Sequence, residues 1–407
     1  MNKAVRKNFP IFKYRPNLVY LDSAATTLKP LSVIQAIESY YQQYSINTHS
    51  EGSGLLAQKV RTIIQQARQL VAQKINAQTE EIIFFPSATY ALNILSLSLK
   101  NHLKKGDKIC LTYLEHSSNC YPWQAIAQEK KTEVNFLPLN KDFTVDLNLL
   151  DKWIDQKTKI VSLVHLSNSL GVINPIKKIV RKIKVLNPNC WVIIDACQSL
   201  AHLPINVQDW NIDALVFSGH KVCGPTGIGV LWIKKTAAEK LPEVLWGGGK
   251  KISPLKKSNY HLPLDQKFEV GTLPLAEIFG LKKALEFLNG WTTKEISQFE
   301  KELKDYALTE LTKLKEIILY SQNLETIDII LFNLKGFHAH DVVDYLGRNE
   351  VYVRAGDFCC PYLEKLLGAA SAIRVSLFIY NTKKDIDKLI YYLKKIIQEP
   401  ELLVPLS

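Results

Sequence analysis

Between about residues 58 and 235, short apolar runs alternate with longer stretches whose apolar residues recur at helical spacing. The runs that predict strands are EIIFF, DKICLT, EVNFLPL, KIVSLVHL, CWVIIDA and DALVFS. The stretches that predict helices are QKVRTIIQQARQLVAQKI, ATYALNILSLSLK, SSNCYPWQAIAQEKK and NPIKKIVRKIKVLN. Because strands and helices alternate, the pattern predicts an α/β fold with a mostly parallel central sheet covered on both faces.

The pattern changes after residue 235. A loop-like stretch over residues 236–272 precedes two long amphipathic helices that start at LAEIFG and TTKEIS. The last 80 or so residues mix strand patterns (TIDIILFNL, VYVRAG, AIRVSLFIY) with helical ones (HDVVDYLG, KDIDKLIYYLKKIIQ), as in a smaller α/β unit. Since 407 residues exceed one ordinary core, we predict a large domain over 21–285 and a small domain over 286–407 with 1–20.

Composition narrows the class of protein. Apolar residues make up 47% and charged residues 22%, as in soluble globular proteins. Apolar runs are too short for a membrane helix, and the basic N-terminus lacks the apolar core of a secretion signal, so we expect cytoplasmic residence. The seven cysteines predict buried thiols in a reducing compartment. We interpret the net charge of +12 as a lysine-rich surface, because no RNA-binding signature or basic arm accompanies it.

Polar side chains follow five of the predicted strands, at the sheet edge where doubly wound folds bind their ligands. They are Ser87 and Thr89, Glu115 to Ser117, Asn168, Asp195 with Gln198, and Ser218 with His220 and Lys221. Each has an ordinary explanation, such as helix capping or a turn. Five successive strands that all end in groups suited to one ligand are the informative observation.

The ligand that these groups suit is pyridoxal 5′-phosphate. A buried carboxylate, Asp195, keeps the pyridine nitrogen protonated, although an ordinary strand-end aspartate is the alternative interpretation. Thr89, Ser218 and His220 supply donors for the phosphate near a helix N-terminus. His116 provides a flat cover for one face of the ring.

Lys221 completes this hypothesis. The cofactor aldehyde needs a lysine, and only the neutral amine attacks it, a form that a dry pocket beside cationic groups favours. The glycines that follow in KVCGPTGIG let the backbone turn tightly beside the cofactor.

Several segments in chain order resemble one family. LDSAATTLKP, EHSSNCYPWQ, HLSNSLG, IIDACQS, SGHKVCGPTGIGVLW, FEVGT, RAGDFCCP and IRVSLFIYNT are similar to the cysteine desulfurases, in particular the SufS-like group of the class V aminotransferase superfamily. The resemblance implies the type I fold of pyridoxal-phosphate enzymes. It also implies conversion of L-cysteine to L-alanine, with the sulfur passed to iron–sulfur cluster assembly or another thiolation.

The resemblance implies a role for each site residue. Lys221 is the covalent anchor and proton carrier, and His116 stacks on the ring and assists proton transfer. Asp195 contacts the ring nitrogen, and Gln198 contacts the phenolic oxygen. Thr89, Ser218 and His220 bind the cofactor phosphate. Thr272 contacts the phosphate in the neighbouring subunit of a homodimer. Arg374 and Asn168 bind the substrate carboxylate.

The resemblance implies that Cys359 is the nucleophile that takes the sulfur as a persulfide, on a mobile loop of the small domain; an inert buried thiol is the alternative. The family usually has two histidines before this cysteine, where this chain has Asp357 and Phe358. An acidic neighbour disfavours a negatively charged sulfur. Cys360 is an extra thiol, more typical of a structural residue than of a second acceptor.

Partners and alternatives follow from the same resemblance. Relatives hand sulfur to a zinc-bearing U-type scaffold protein, and His340, two residues after His338, is a candidate docking residue for such a partner. A selenocysteine lyase, or another class V C–S or C–Se lyase, fits the same fold and Lys221. A degenerate sulfur-carrier or binding platform is the alternative from another class, because of the departures around Cys359.

Overall fold

The computed structural model describes residues 3–46, 54–248, 263–320, 324 and 326–403. Part of the loop expected over residues 236–272, from Gly249 to residue 262, lies outside these ranges. The strands are β1 (Val19–Tyr20), β2 (Ile82–Phe85), β3 (Lys108–Leu111), β4 (Glu133–Phe136), β5 (Thr158–Val164), β6 (Trp191–Asp195), β7 (Ala214–Ser218), β8 (Gly229–Ile233), β9 (Ile317–Leu319), β10 (Ile329–Leu334), β11 (Val351–Tyr352), β12 (Arg354–Gly356) and β13 (Ala372–Ser376).

Helices of the described residues lie between these strands. They are α1 (Lys3–Arg6), α2 (Ile11–Tyr14), α3 (Leu31–Ser39), α4 (Gly54–Ile75), α5 (Ala88–Leu99), α6 (Tyr121–Lys130), α7 (Leu150–Trp153), α8 (Ile176–Leu186), α9 (Ser199–His202), α10 (Val207–Trp210), α11 (Lys235–Ala238), α12 (Leu264–Phe268), α13 (Leu275–Leu288), α14 (Thr293–Leu311), α15 (Ala339–Arg348), α16 (Leu363–Leu367) and α17 (Lys383–Gln398). Within this part of the chain, every helix is too short or too polar to cross a bilayer.

The central sheet has seven strands in the order β2-β8-β7-β6-β5-β3-β4. Strands β3 to β7 pair in parallel, while β8 runs antiparallel to both of its neighbours, β7 and β2. This arrangement confirms the predicted α/β fold with a mostly parallel central sheet. We did not predict β8, because its sequence follows directly on the glycine- and proline-containing turn after Lys221.

Both faces of the central sheet are buried. On β7, Leu215 and Phe217 pack into one apolar core, and Ala214 and Val216 pack into the core on the opposite face. A run of apolar residues without alternation is what a strand covered on both faces requires. Helices α4, α8 and α13 cover the first face, and helices α5 and α6 cover the second.

A second, smaller sheet has the order β12-β13-β10-β9 and is antiparallel throughout. Helices α14, α15 and α17 pack on it through a separate apolar core. Near the other end of the chain, β1 pairs in parallel with β11, with Val19 opposite Val351. The N-terminal segment therefore lies against the C-terminal part of the chain, and Asp22, just after β1, forms an isolated bridge with Ser376.

Candidate active site

A cavity of about 250 Å³ lies where β5, β6 and β7 end, between the two sheets. It is lined by ten of the eleven site residues proposed from the sequence, namely Thr89, His116, Asn168, Asp195, Gln198, Ser218, His220, Lys221, Cys359 and Arg374. Thr272 does not line this cavity; its side chain is exposed on the segment between α12 and α13. Residues 270 positions apart in sequence, such as Thr89 and Cys359, thus meet at one edge of the sheet.

Asp195 and Lys221 come from neighbouring strand ends. Asp195 is the last residue of β6, is 4% exposed, and accepts a hydrogen bond from the Cys197 backbone N–H at 2.9 Å. Lys221 closes the 3-10 turn that follows β7, and its amine makes no hydrogen bond with the residues that the structure describes. Gln198 donates from Nε2 to the Ala24 carbonyl at 2.7 Å. The cavity therefore holds a carboxylate and a free amine.

The cavity also contains a set of hydrogen-bond donors at the start of α5. The Ala88 backbone N–H donates to Ser218 Oγ at 2.9 Å, and the hydroxyls of Thr89 and Ser118 are 2.7 Å apart. Gly229 permits this approach, because a Cβ atom there would lie 2.3 Å from the Ser87 carbonyl carbon. Hydroxyls at the N-terminus of a 12-residue helix form a site suited to an anion.

Two histidines line the cavity in the neutral state. Burial first, and then the charge of Lys221, lowers the pKa of His116 to about 4. Burial, with the charges of Lys221 and Lys29, lowers the pKa of His220 to about 4 as well. His116 Nδ1 accepts the Ser118 backbone N–H at 3.1 Å, so the ring proton is on Nε2.

Glu115 anchors the segment that carries His116. Its buried carboxyl accepts hydrogen bonds from Thr112 Oγ1 and Asn119 Nδ2, both at 2.6 Å, and from the Val164 backbone N–H at 3.1 Å. Burial raises the pKa of Glu115 to about 8. The network ties the start of the His116 segment to the end of β5.

Arg374 and Asn168 form the opposite wall of the cavity. Arg374 is 1% exposed; its Nη1 donates to the Asn168 carbonyl at 2.8 Å and its Nη2 pairs with Asp22 Oδ1 at 2.7 Å. Arg374 Nε and Asn168 Oδ1 are buried without a hydrogen-bond partner among the described residues. Buried unpaired polar atoms are costly, so this wall is suited to a polar ligand.

Cys359 lies in the loop between β12 and α16. The Ser117 backbone N–H and hydroxyl both donate to the Cys359 carbonyl, at 2.8 and 2.9 Å. Asp357 Oδ1 accepts the Cys359 backbone N–H at 3.0 Å, whereas Arg354 Nη2 lies 3.8 Å from Cys359 Sγ. The acidic neighbour that we expected to act on the sulfur is therefore engaged with the backbone, and a guanidinium is beside the sulfur.

Cys360 faces away from this chemistry. It is fully buried, its thiol donates to the Tyr113 carbonyl at 3.4 Å, and burial raises its pKa to about 11. The other cysteines of the described residues are free thiols and mostly buried, as predicted. Cys197 is the exception that we overlooked, since it also lines the cavity.

Sequence reasoning missed several residues of this site. Arg354, Ser118, Asp22 and Cys197 had no assigned role, yet each contacts a proposed site residue. The available signal was their position inside segments already singled out, such as Arg354 in RAG and Asp22 in LDSAATT. Position in a motif indicates proximity, but the atom that each side chain contacts depends on the fold.

The residues present fit pyridoxal 5′-phosphate. Thr89, Ser218 and His220 lie with the α5 N-terminus where an anion is favoured. Asp195 offers a carboxylate for a protonated ring nitrogen, and Lys221 offers an amine without a hydrogen bond to any described residue. Arg374 Nε, a donor without a hydrogen-bond partner among the described residues, leaves a further polar site for a carboxylate-bearing substrate. Such a set of groups defines a pyridoxal-phosphate enzyme of the type I fold.

Comparison with known proteins agrees with this class. Residues 19–389 match the family described as aminotransferase class-V. A protein of Halalkalibacterium halodurans named "Probable cysteine desulfurase" is 39% identical over 397 residues, which cover 96% of this chain and 97% of the relative. A solved structure of a Thermococcus onnurineus cysteine desulfurase superposes with a TM-score of 0.90 at 31% identity, covering 97% and 98% of the two chains.

An Escherichia coli cysteine desulfurase gives a TM-score of 0.88 at 30% identity, with 97% of each chain covered. The chain thus belongs to the class-V aminotransferase family, and its cofactor is pyridoxal 5′-phosphate. Within that family, the chain belongs to the cysteine desulfurases, which confirms the resemblance seen in the sequence.

Proposed function

We propose that this enzyme converts L-cysteine to L-alanine and passes the sulfur to Cys359 as a persulfide. The observation that carries the proposal is that Cys359 lines the same cavity as Lys221 and Asp195. The sulfur acceptor, the amine and the carboxylate thereby face one small-molecule site, which an inert structural thiol does not require.

The cofactor, when bound, withdraws electrons from the amino acid joined to it and so makes bonds near the α carbon labile. Asp195 holds a proton on the ring nitrogen, and Lys221 Nζ is the covalent anchor and moves protons at the substrate carbons. Thr89, Ser218 and His220 bind the phosphate. His116 covers the ring and is neutral, with its proton on Nε2.

Arg374 and Asn168 orient the substrate by its carboxylate. The guanidinium is held by Asp22 and by the Asn168 carbonyl, so its plane is fixed before the substrate enters. Arg374 Nε is a buried donor without a hydrogen-bond partner among the residues described, whereas Asn168 Oδ1 can only accept and suits a donor group of the ligand. A planar guanidinium suits a carboxylate better than an ammonium does.

Sulfur transfer takes place at Cys359 Sγ. The thiolate attacks the substrate sulfur, an S–S bond forms and the Cβ–S bond breaks, and the electron pair left on Cβ takes up a proton to give alanine. The Arg354 guanidinium, 3.8 Å from Sγ, stabilises the negative charge on the attacking sulfur and on the persulfide that remains.

The wider role is part of the same proposal. The enzyme is a cytoplasmic homodimer in which Thr272 contacts the phosphate of the neighbouring subunit, and its sulfur enters iron–sulfur cluster assembly or another thiolation. It has a large cofactor-binding domain over 21–285 and a small domain over 286–407 with 1–20 that carries Cys359. The exposure of Thr272 outside its own chain's cavity supports the shared site.

His340 is proposed to dock a U-type scaffold protein. Its ring stacks on that of His338 at 5.3 Å, and its Nε2 lies 3.9 Å from the position that a Cβ on Gly356 would occupy, at the end of β12. It is therefore close to the loop of Cys359. His340→Ala should abolish sulfur transfer to such an acceptor while basal alanine release is retained; equal loss of both would contradict the docking role.

Alanine release from L-cysteine by the purified holoenzyme tests the proposed reaction. Wild type and Cys360→Ser should form alanine steadily in the presence of a reductant, whereas Cys359→Ser should lose nearly all turnover. Running L-selenocysteine in parallel separates a selenocysteine lyase, whose activity would survive Cys359→Ser. The proposed function fails if wild type releases no alanine, or if Cys359→Ser turns over L-cysteine as fast as wild type.

A further inference from the structure

Phe358, which stands where the family usually has histidine, has an unusual backbone for a bulky residue. Its φ angle is 57° and that of Cys359 is 56°, so two successive non-glycine residues adopt the left-handed conformation. Aromatic residues rarely adopt this conformation unless their surroundings impose it, and such strain is concentrated at functional sites. The strain at Phe358 therefore calls for specific contacts that maintain it.

Those contacts come from the residues of the proposed substrate site. Asn168 Nδ2 donates to the Phe358 carbonyl at 2.7 Å, and Asp357 Oδ1 accepts the Cys359 N–H of the same peptide group. Ser117 Oγ donates to the Cys359 carbonyl of the next peptide. The Asn168 carbonyl in turn accepts Arg374 Nη1 at 2.8 Å. One asparagine thus connects the strained peptide to the guanidinium.

The Phe358 side chain makes a second connection. Its ring is 2% exposed and lines the cavity, and Arg374 Cζ lies over it at 4.9 Å from the ring centroid. A guanidinium within about 6 Å of a ring face is attracted to it, most strongly where water is excluded. Arg374 is 1% exposed, so the attraction acts here in a desolvated setting.

We propose that Phe358 is a positioning residue whose ring supports Arg374 so that the guanidinium receives the substrate carboxylate. Asp22 and Asn168 hold the guanidinium by two of its nitrogens, and its central carbon lies over the Phe358 ring. Because Cys359 is the next residue, the same strained segment positions both the carboxylate site and the sulfur acceptor. The inference rests on the proposed function, in which Arg374 binds substrate.

A purely structural role is the competing explanation, because Phe358 also belongs to an apolar cluster with Leu114, Val164 and Leu331. The two explanations differ in what a ring-free side chain of similar volume does. A structural role lowers stability alone, whereas loss of the ring face weakens carboxylate binding with little effect on the chemical step.

Binding of L-alanine, a carboxylate ligand without sulfur, isolates the effect of the ring. Titration of the visible absorbance of the holoenzyme should give a dissociation constant about tenfold higher for Phe358→Met than for wild type. Phe358→Tyr keeps the ring and should bind alanine as wild type does. Turnover of L-cysteine by Phe358→Met should show a raised KM at nearly unchanged kcat.

Phe332 offers the matched control. Phe332 is fully buried on β10 of the small sheet. It packs in a different apolar core from that of Phe358 and does not line the cavity. Phe332→Met should destabilise the protein and leave the alanine dissociation constant unchanged. If Phe358→Met does not fold, Phe358→Leu provides a second ring-free side chain with the same expected shift.

Two outcomes overturn the inference. One is an unchanged alanine dissociation constant in folded Phe358→Met or Phe358→Leu, and the other is an equal rise in Phe332→Met. Failure of the proposed function is distinguishable from both, since wild type would then release no alanine from L-cysteine.

Discussion

At Cys359, two opposite charges lie close together and act on different atoms. The Arg354 guanidinium contacts the sulfur, while the Asp357 carboxylate accepts the backbone N–H. From the sequence alone, Asp357 predicts an unfavourable charge beside the nucleophile. The fold directs that charge to the peptide, where it stabilises the left-handed conformation of Cys359.

Alkylation of Cys359 by iodoacetamide distinguishes the two charges. We expect Arg354→Met to slow alkylation near neutral pH several-fold, because the thiolate loses its adjacent cation. Asp357→Asn keeps the acceptor atom and removes the charge, so its rate should remain close to that of wild type. A large acceleration in Asp357→Asn would show that the carboxylate does act on the sulfur.

At the scale of elements, a buried ion pair fixes the segment that carries Thr272. Glu269, directly after α12, pairs with Arg68 of α4 at 2.6 Å and accepts the Phe84 backbone N–H of β2 at 2.7 Å. Both side chains are less than 10% exposed. The Arg68–Glu269 ion pair therefore holds the FEVGT segment against the central sheet.

Breaking this pair should cost far more than breaking a surface pair. Arg68→Met leaves a buried carboxylate uncompensated, and we expect a loss of roughly 3–5 kcal/mol in the free energy of unfolding. Lys301→Met removes an exposed i,i+4 pair with Asp305 and should cost less than about 0.5 kcal/mol. Urea unfolding of both variants measures these free energies. Similar losses in the two variants would contradict a stabilising role for the buried Arg68–Glu269 pair.

The elements themselves were largely predictable. Apolar runs such as WVIID and ALVFS became β6 and β7, because strands buried on both faces need continuous apolar residues. Strand β8 was missed, because its five residues follow directly on a glycine- and proline-containing turn and were not distinguished from that turn. The contact of Arg354 with Cys359 was not predictable, because it depends on the conformation of the loop after β12, where Phe358 and Cys359 both have positive φ angles.

At the scale of the whole molecule, a buried ionic cluster joins the parts that carry the two sheets. His202 is the last residue of α9, the helix that follows Gln198. It lies 2.7 Å from Glu300 of α14 and 3.9 Å from Asp328, just before β10. Burial alone lowers the pKa of His202, but the charges of Glu300 and Asp328 outweigh it and raise this pKa to about 9.

Stability should therefore depend on pH in a defined window. The raised pKa of His202 contributes stability that is fully present below the unfolded value of 6.5 and lost as pH rises through about 9. Burial raises the pKa of Glu300 from 4.5 to about 7. This shift also makes stability fall with rising pH, but in the lower range between these two values. We expect the free energy of unfolding to fall from pH 6.5 to above pH 9.

His202→Gln should lower stability at pH 6.5 and remove most of this fall, whereas His102→Gln, a change outside the cluster, should leave the profile intact. Denaturant unfolding across the pH series measures both. An unaltered profile in His202→Gln would assign the pH dependence to other groups.

Lys221 is the proposed covalent anchor of the cofactor, and Lys29 is a second lysine close to it. Lys29 Nζ lies 3.1 Å from the His220 carbonyl and 3.1 Å from Thr26 Oγ1, and burial lowers the pKa of Lys29 to about 8. Lys29 is thus a second half-buried amine, hydrogen-bonded to the backbone of the residue before Lys221, but its nitrogen is engaged by oxygen acceptors.

Borohydride reduction of the purified holoenzyme, followed by peptide mass spectrometry, identifies the lysine that holds the cofactor. We predict the pyridoxyl label on the peptide containing Lys221, and loss of both the label and the visible absorbance in Lys221→Ala. A label on Lys29, or an undiminished label in Lys221→Ala, would contradict it.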